Sequence, residues 1–374
     1  MPLPRVFDTA ATIVLADGPD GADFVPQMLA DAGRLGDALV VVGWLPGARP
    51  WTERLEGARA LMGGYGARDA IRGGRATYVP VRLSAVPRYL AQLPRPIVTV
   101  LRGRPVGGGF VCGPSVGWAP AAAALADAVV VEVDSEAPEI RAPLITGEIV
   151  ATVEGTATRV PPSWPPPDEV DRTIAALIAD LLGDEPTIQF GPGSLLDAVV
   201  RHADRPLRVF SGLATDAVAA LADGGRLLAP AVAGYLWGSD DLIELTREGG
   251  LELARVEDTH DVSHLSALPR LVALNTALQV GLDGSVNVER FRGDVVGGVG
   301  GHPDFARGAS ACRDGLSVVA VRSQHRGTSN VVEVPEAVTT ARTDVDVVVT
   351  EHGAADLRGC SDDERAARLR SIGP

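Results

Sequence analysis

Residues 187–216 read TIQFGPGSLLDAVVRHADRPLRVFSGLATD, and this stretch decides the fold class. TIQF and LRVF are short apolar runs of strand type, LLDAVVRHA between them reads as a helix, and GPGS makes the first turn. The alternation continues outward through TDAVAALADGG, RLLAPAV and SDDLIELTREGG as helix, strand and helix. Such alternation predicts a parallel sheet with helices on its faces. Reacting groups in such sheets sit in turns outside the carboxyl ends of strands. Gly212, inside RVFSGLATD, has no side chain to react with.

Upstream, VPPSWPPPDEVDR from Val160 to Arg172 places five prolines within positions 161–167, which forbids regular ladders and stiffens the chain. The break predicts two similar α/β domains with mainly parallel sheets. An N-terminal domain covers 1–160, a Pro-rich linker and first helix cover 161–185, and a C-terminal domain covers 186–374. Val170, Ile174, Leu177, Ile178, Leu181 and Leu182 mark one apolar face of that helix, which ends at Gly183. Before the linker, ALVVVGW, PIVTVLRG and DAVVVEVD read as buried strands, with GARALMGG and AVPRYLAQL as helical or turn-rich connections. Farther on, LVALNTALQV, GSVNVE, LSVVAVRS, NVVEV and VDVVVTEHG read mainly as strands separated by glycine-rich loops. The halves end alike, in DAVVVEVD and DVDVVVTEHG, as a duplicated unit would.

Composition narrows the function classes. A chain of 374 residues that is 46% hydrophobic is long for one core and fits two domains. A formal charge of −14 argues against nucleic acid as a general partner. All 34 basic residues are arginine. Without lysine, a Walker-type phosphate loop, Schiff-base chemistry and pyridoxal-phosphate chemistry cannot operate in their usual form. No basic leader followed by an apolar run and no membrane-length apolar window occurs, so a cytoplasmic protein with no membrane partner is expected. Cys112, Cys312 and Cys360 lie far apart without paired spacing and read as free thiols.

Four places could carry chemistry. Gly191, Pro192, Gly193 and Ser194 form either a plain tight turn or a turn that offers helix N-terminal amides to an anionic group such as a pyrophosphate. FRGDVVGGVGGHPDFARGAS, residues 291–310, crowds Gly297, Gly298, Gly300 and Gly301 around Val299. Such a loop lets backbone approach a ligand closely and present amides to an oxyanion. It is also locally basic, with six arginines against four acids from Glu289 to Arg326, as a phosphate-bearing ligand would require. His302 stands inside this loop. His260 and His264, in EDTHDVSH, have a spacing that two metal ligands on one helix face could use. No glutamate follows the first histidine and the segment reads as loop, so no metal is expected. RVFSGLATD lacks the nucleophile elbow of serine hydrolases.

Together these stretches resemble the acetyl-CoA hydrolase/transferase family within the class I CoA-transferases, which includes 4-hydroxybutyrate and succinyl-CoA:acetate CoA-transferases. The resemblance runs from GLDGSVNVERF through GGVGGHPDFARGAS to TTARTDVDVVVTEHGAADLRGCSDDERAARL, with TIQFGPGSLLDAVV as the strand and CoA-binding turn and YVPVRLSAVPRYL as an N-terminal signature. It implies coenzyme A or an acyl-CoA as substrate or ligand, a carboxylate as possible acceptor, and a homo-oligomer. It also implies ligand contacts from Gly191, Pro192, Gly193, Ser194, Asn287, Gly298, Gly300 and Gly301.

In the family a glutamate attacks the thioester, and an acyl-glutamyl anhydride then gives a glutamyl-CoA thioester. Where the family has a histidine, threonine, glutamate, methionine run, this chain has Phe210, Ser211, Gly212 and Leu213, followed by Ala214, Thr215 and Asp216. The nucleophile is therefore expected to be missing at Gly212. A family glycine-glycine-glutamine becomes Gly300, Gly301, His302, and the loop GRPVGGGFVCGPSVGW has lost the family's proline-aspartate-histidine-glycine character. Three readings follow: an acyl-CoA transferase or hydrolase, a CoA-thioester enzyme that dispenses with the glutamyl intermediate, and a non-catalytic binding protein or partner subunit. His302 is either a general base for water in the space the glutamate leaves, or a polar substitute that hydrogen-bonds the loop.

Overall fold

The computed structural model of the chain describes residues 2–134, 137–155 and 160–374; Met1, residues 135–136 and residues 156–159, all within the span expected for the N-terminal domain, lie outside the described residues. The first half builds a sheet from β1 (Thr12–Leu15), β2 (Leu39–Val42), β3 (Ala58–Ala60), β4 (Ala76–Tyr78), β5 (Ile97–Val106), β6 (Gly109–Cys112), β7 (Ala128–Val133) and β8 (Ile149–Glu154). Its order is β4-β3-β2-β1-β5-β7-β8. β6 folds back antiparallel on β5. The second half builds β9 (Thr187–Phe190), β10 (Arg208–Ala214), β11 (Ala231–Leu236), β12 (Leu251–Leu253), β13 (Leu271–Thr276), β14 (Leu316–Ala320), β15 (Val347–Thr350) and β16 (Gly353–Asp356). They lie in the order β12-β11-β10-β9-β13-β14-β15-β16, and only the final pair is antiparallel.

Parallel strands covered on both faces read as unbroken apolar runs. TIVL of β1, TIQF of β9, LSVVA of β14 and VVVT of β15 are buried throughout. Both sheets share one plan: four strands are laid outward from the centre, and the fifth returns to the other side of the first. The duplication suggested by the two chain ends therefore extends to the strand order. Each plan creates a switch point, between β1 and β5 and between β9 and β13, where a crevice opens at the carboxyl ends of the strands.

The halves are joined closely. The amides of Val116 and Gly117 donate to the carbonyl of Gly234 (3.1 and 2.9 Å), and the Leu236 amide donates to Pro114 (3.0 Å). One buried apolar cluster contains Leu101 and Val131 from the first sheet and Phe190 and Leu236 from the second. The prolines at 161–167 carry no regular structure. The helix that follows, Glu169–Leu181, opens on a capping box between Asp168 and Asp171 and buries Ile174 and Ile178. Arg322 anchors this start, 2.9 Å from Asp168 and 2.7 Å from Asp171.

Several local expectations change. GARALMGG, read as a connection, contains β3, because Ala58 and Ala60 are small enough to sit buried between β2 and β4. In RLLAPAV the strand begins only at Ala231, since Pro230 has no amide for the ladder. NVVEV pairs only through Val331 and Val332. EDTHDVSH is not a loop: helix Val256–Thr259 ends at His260, and Asp261 caps helix Val262–Ala267 by accepting the His264 amide at 2.8 Å. Among the described residues no helix is long and apolar enough to cross a membrane.

Candidate active site

The carboxyl ends of β1, β2 and β3 meet those of β9, β10, β11 and β13 at a cavity of about 270 Å³. Asp17, Trp44, Leu61 and Met62 come from the first half; Gln189, Phe190, Gly191, Pro192, Gly212, Leu213, Tyr235, Asn275 and Thr276 come from the second. Residues 297–302 and Phe305 close one wall. Seven candidates read from the sequence, Gly191, Pro192, Gly212, Gly298, Gly300, Gly301 and His302, therefore line one cavity. Gly193 and Ser194 do not line it: Gly193 has φ 139° and precedes helix Ser194–His202. Asn287 is also outside the lining. Its amide donates to Gln279 and to the Arg290 carbonyl (both 2.8 Å), and its oxygen accepts the amides of Glu289 and Arg290 (2.9 and 3.0 Å). Its side-chain oxygen and one amide bond thus serve the turn that leads into the glycine loop, and its other amide bond ties that turn to Gln279.

The glycines permit a close crossing of two backbones. A Cβ on Gly298 would collide with Met62 Sδ, and one on Gly63 would collide with Val295 and reach within 2.6 Å of the Gly297 carbonyl. YVPVRLSAVPRYL, the N-terminal signature, holds the other side of this loop. The Leu83 amide donates to the Gly300 carbonyl at 3.0 Å. The Ser84 amide and hydroxyl donate to Asp304 (3.1 and 2.6 Å), and Arg82 lies 3.6 Å from the same carboxylate. The Tyr78 hydroxyl donates to Glu289 at 2.7 Å and accepts the Val299 amide at 3.2 Å. Two motifs from opposite halves of the sequence thus form one wall.

His302 is the first residue of helix His302–Ala311. Its Nδ1 lies 2.7 Å from the Thr340 hydroxyl, and its Nε2 has no hydrogen-bond partner. Burial lowers its pKa to about 4. A second imidazole shares the cavity. His260 Nδ1 lies 2.8 Å from the Thr259 hydroxyl, its ring packs edge-on against Phe305 at 4.8 Å, and its Nε2 also lacks a partner. Burial lowers its pKa to about 3. His264, the other half of the spacing read as a possible metal pair, instead stacks on Phe210 at 5.2 Å. Among the described residues no group of three or more His, Cys, Asp or Glu could hold a metal ion. Cys112, Cys312 and Cys360 are free thiols.

Asp17 is the one carboxylate among the described residues that line the cavity. It accepts hydrogen bonds from the Trp44 amide (3.2 Å), the Trp118 indole (3.0 Å) and the Tyr235 hydroxyl (3.1 Å). Burial outweighs these donors and raises its pKa to about 7. No arginine is among the described residues that line the cavity. Of those that make the glycine-loop region basic, Arg307 pairs with Asp344 at 3.7 Å and Arg322 with Asp168 and Asp171. Gln189 and Asn275 add a buried amide pair to the wall at 3.4 and 3.3 Å, and its aromatic side is built around Trp44, which meets Tyr65, Tyr235 and Trp237 edge-on at 6.0, 6.1 and 5.1 Å.

These groups give opposing pH effects on stability. His260 and His302 titrate below the ordinary 6.5, so the unfolded chain binds more protons there and stability falls as pH drops below 6.5. Asp17 and Asp304, raised by burial to about 7 and about 6, hold protons the unfolded chain has lost, and they favour the fold as pH falls. Between about pH 4 and 6 the two pairs offset each other. Asp17→Asn removes one offsetting group. Its unfolding free energy should fall on acidification more steeply than the wild type's, by about 1.4 kcal/mol per pH unit; denaturant titrations at pH 4.5, 5.5 and 6.5 would measure this, and parallel slopes would contradict it.

The fold is a pair of α/β units with mainly parallel sheets that meet at this cavity, and known proteins share it. Residues 238–373 match the family model of the acetyl-CoA hydrolase/transferase C-terminal domain. A 4-hydroxybutyrate coenzyme A transferase of Clostridium kluyveri is 29% identical over 335 residues, covering 84% of this chain and 78% of that protein. A succinyl-CoA:cyclohexane-1-carboxylate CoA transferase of Geobacter metallireducens is 28% identical, covering 82% of this chain and 75% of that protein. An acetyl-CoA hydrolase of Saccharomyces cerevisiae is 25% identical, covering 70% and 59%. Among solved structures, RipA from Yersinia pestis superposes with a TM-score of 0.84 at 22% identity, over 100% of this chain and 96% of that one. A 4-hydroxybutyrate CoA-transferase from Porphyromonas gingivalis gives 0.77 at 22% identity, over 99% and 92%. The family match is thus confined to residues 238–373, and the relatives that span more of the chain are CoA transferases and acetyl-CoA hydrolases below 30% identity.

Proposed function

We propose that the chain binds a CoA thioester with its acyl end in the cavity between the two sheets and cleaves it without a covalent carboxylate intermediate. One observation carries this reading. Gly212, where the resemblance implies the nucleophilic glutamate, opens on the cavity, and the space a side chain there would enter is bounded by His260 and Phe305 rather than by any carboxylate. The glycine wall that would cradle the ligand is retained around it.

The lining also bears on the acceptor. A carboxylate entering this cavity would leave water for a wall that holds Asp17, two neutral imidazoles and no arginine among its described lining residues, which is costly for an unpaired charge. Water carries no such cost. Hydrolysis of an uncharged acyl group is therefore the reaction this site favours, and coenzyme A and a carboxylic acid are its products.

Isothermal titration with CoA, acetyl-CoA and butyryl-CoA, beside a thiol assay for released CoA, tests the reading. Binding and release of CoA are expected, with a change in tryptophan emission because Trp44 and Trp118 line the cavity. Absence of binding at millimolar ligand would overturn the site. Binding without release would favour the second reading, a non-catalytic CoA-ester-binding protein, for which the glycine at 212 is the supporting observation.

A further inference from the structure

The remaining question within that reading is which group handles the water, and the region opposite Gly212 answers it. A Cβ built on Gly212 would lie 3.0 Å from His260 Nε2 and 3.2 Å from His260 Cε1, and one on Gly301 would lie 2.5 Å from the same Nε2. The Nε2 atom thus sits between the strand that carries position 212 and the glycine loop. It is buried, with the residue only 1% exposed, and it has no hydrogen-bond partner among the described residues. Leaving such an atom unpartnered costs about 1–3 kcal/mol, a cost that a bound ligand or water would relieve.

The tautomer of this ring is fixed by its neighbours. The Thr259 hydroxyl donates its single proton to the Arg255 carbonyl at 3.1 Å, so its oxygen is left to accept from His260 Nδ1 at 2.8 Å. With the proton on Nδ1, Nε2 carries the lone pair. The Thr340 hydroxyl beside His302 Nδ1 can serve as donor or acceptor.

We propose that His260 is the general base of the reaction, a role that rests on the proposed thioester cleavage. Its Nε2 takes a proton from a water as the water oxygen bonds to the thioester carbonyl carbon. The tetrahedral intermediate then collapses, the carbon–sulfur bond breaks, and the leaving CoA thiolate takes the proton back from the imidazolium. The balance is one thioester and one water in, one carboxylic acid and one thiol out, with His260 regenerated. Thr259 is a positioning residue that holds the tautomer.

The test uses the full chain with acetyl-CoA and butyryl-CoA as probes. His260→Asn keeps a donor for Thr259 and removes the Nε2 lone pair together with the outer part of the ring. Its kcat should fall about a hundredfold, with the calorimetric Kd for the CoA ester within threefold of wild type. In His260→Ala, added imidazole should restore turnover in proportion to its concentration, which loss of a packing group alone would not produce. Thr259→Val should lower kcat about tenfold and Thr259→Ser should recover it. His302→Gln should lose at least tenfold less than His260→Asn; the reverse ranking would move the base role to His302 and overturn this assignment. Turnover within threefold of wild type in His260→Asn would overturn the base role while leaving thioester cleavage standing. A wild-type chain that releases CoA from neither ester would overturn both.

Discussion

Gly212→Glu is expected to lower stability by about 1–3 kcal/mol, the usual cost of overfilling a packed site, and to regain at least half of that loss when combined with His260→Ala. The backbone does not oppose the substitution, because β10 is extended there and the position has no left-handed φ. Space opposes it. The new Cβ would lie 3.0 Å from His260 Nε2 and 3.3 Å from Phe305 Cε2, tighter than nearly all real contacts of that type. The carboxylate would also enter a wall with no cation, which raises its pKa and favours its neutral form. Removing the imidazole makes room for both the side chain and a water. Denaturant unfolding of the wild type, both single variants and the double variant gives the coupling, expected on the order of 1–2 kcal/mol for residues in contact. Independent effects would show that His260 does not occupy the space in front of position 212.

Asp304→Ala is expected to cost about 2–3 kcal/mol and to weaken CoA-ester binding at least tenfold, because it releases the glycine wall from the other half of the chain. The Asp304 side chain is fully buried and is held by the Ser84 amide and hydroxyl, with Arg82 beside it. Alanine leaves the Ser84 amide without its acceptor and fills nothing. Ser84→Ala removes only the hydroxyl bond and should cost about 1 kcal/mol. Thermal unfolding and calorimetry on both variants would check the ranking. An Asp304→Ala protein with wild-type affinity would mean that the contact does not shape the site.

Much of this organisation was legible before the structure because it rests on local chemistry. TIQF and VVVT are short, largely apolar strands buried throughout, and the proline run from 161 to 167 marks the passage between sheets. The crowded glycines from 297 to 301 signal close backbone approach, and they meet Met62 and Gly63 in that way. The clamp from Leu83 and Ser84 to Gly300 and Asp304 was not legible, since nothing in either segment specifies its distant partner. The sequence relates His260 only to His264, its neighbour in EDTHDVSH. Its actual partner is Gly212, brought near by the placement of β10 and β11 against helix Val256–Thr259. A histidine opposite a glycine leaves no periodic trace. The shape of the pocket, not the sequence spacing, places the ring in the space in front of Gly212.

The most direct test of the whole account is intact-protein mass spectrometry during turnover, with CoA release followed in the same sample and borohydride added before analysis. The account predicts steady release of CoA from acetyl-CoA or butyryl-CoA by the wild-type chain with no increase in protein mass. A protein–CoA adduct on any glutamate or aspartate of the wild type would contradict it, because the acyl group would then be passing through a carboxylate that Gly212 does not supply.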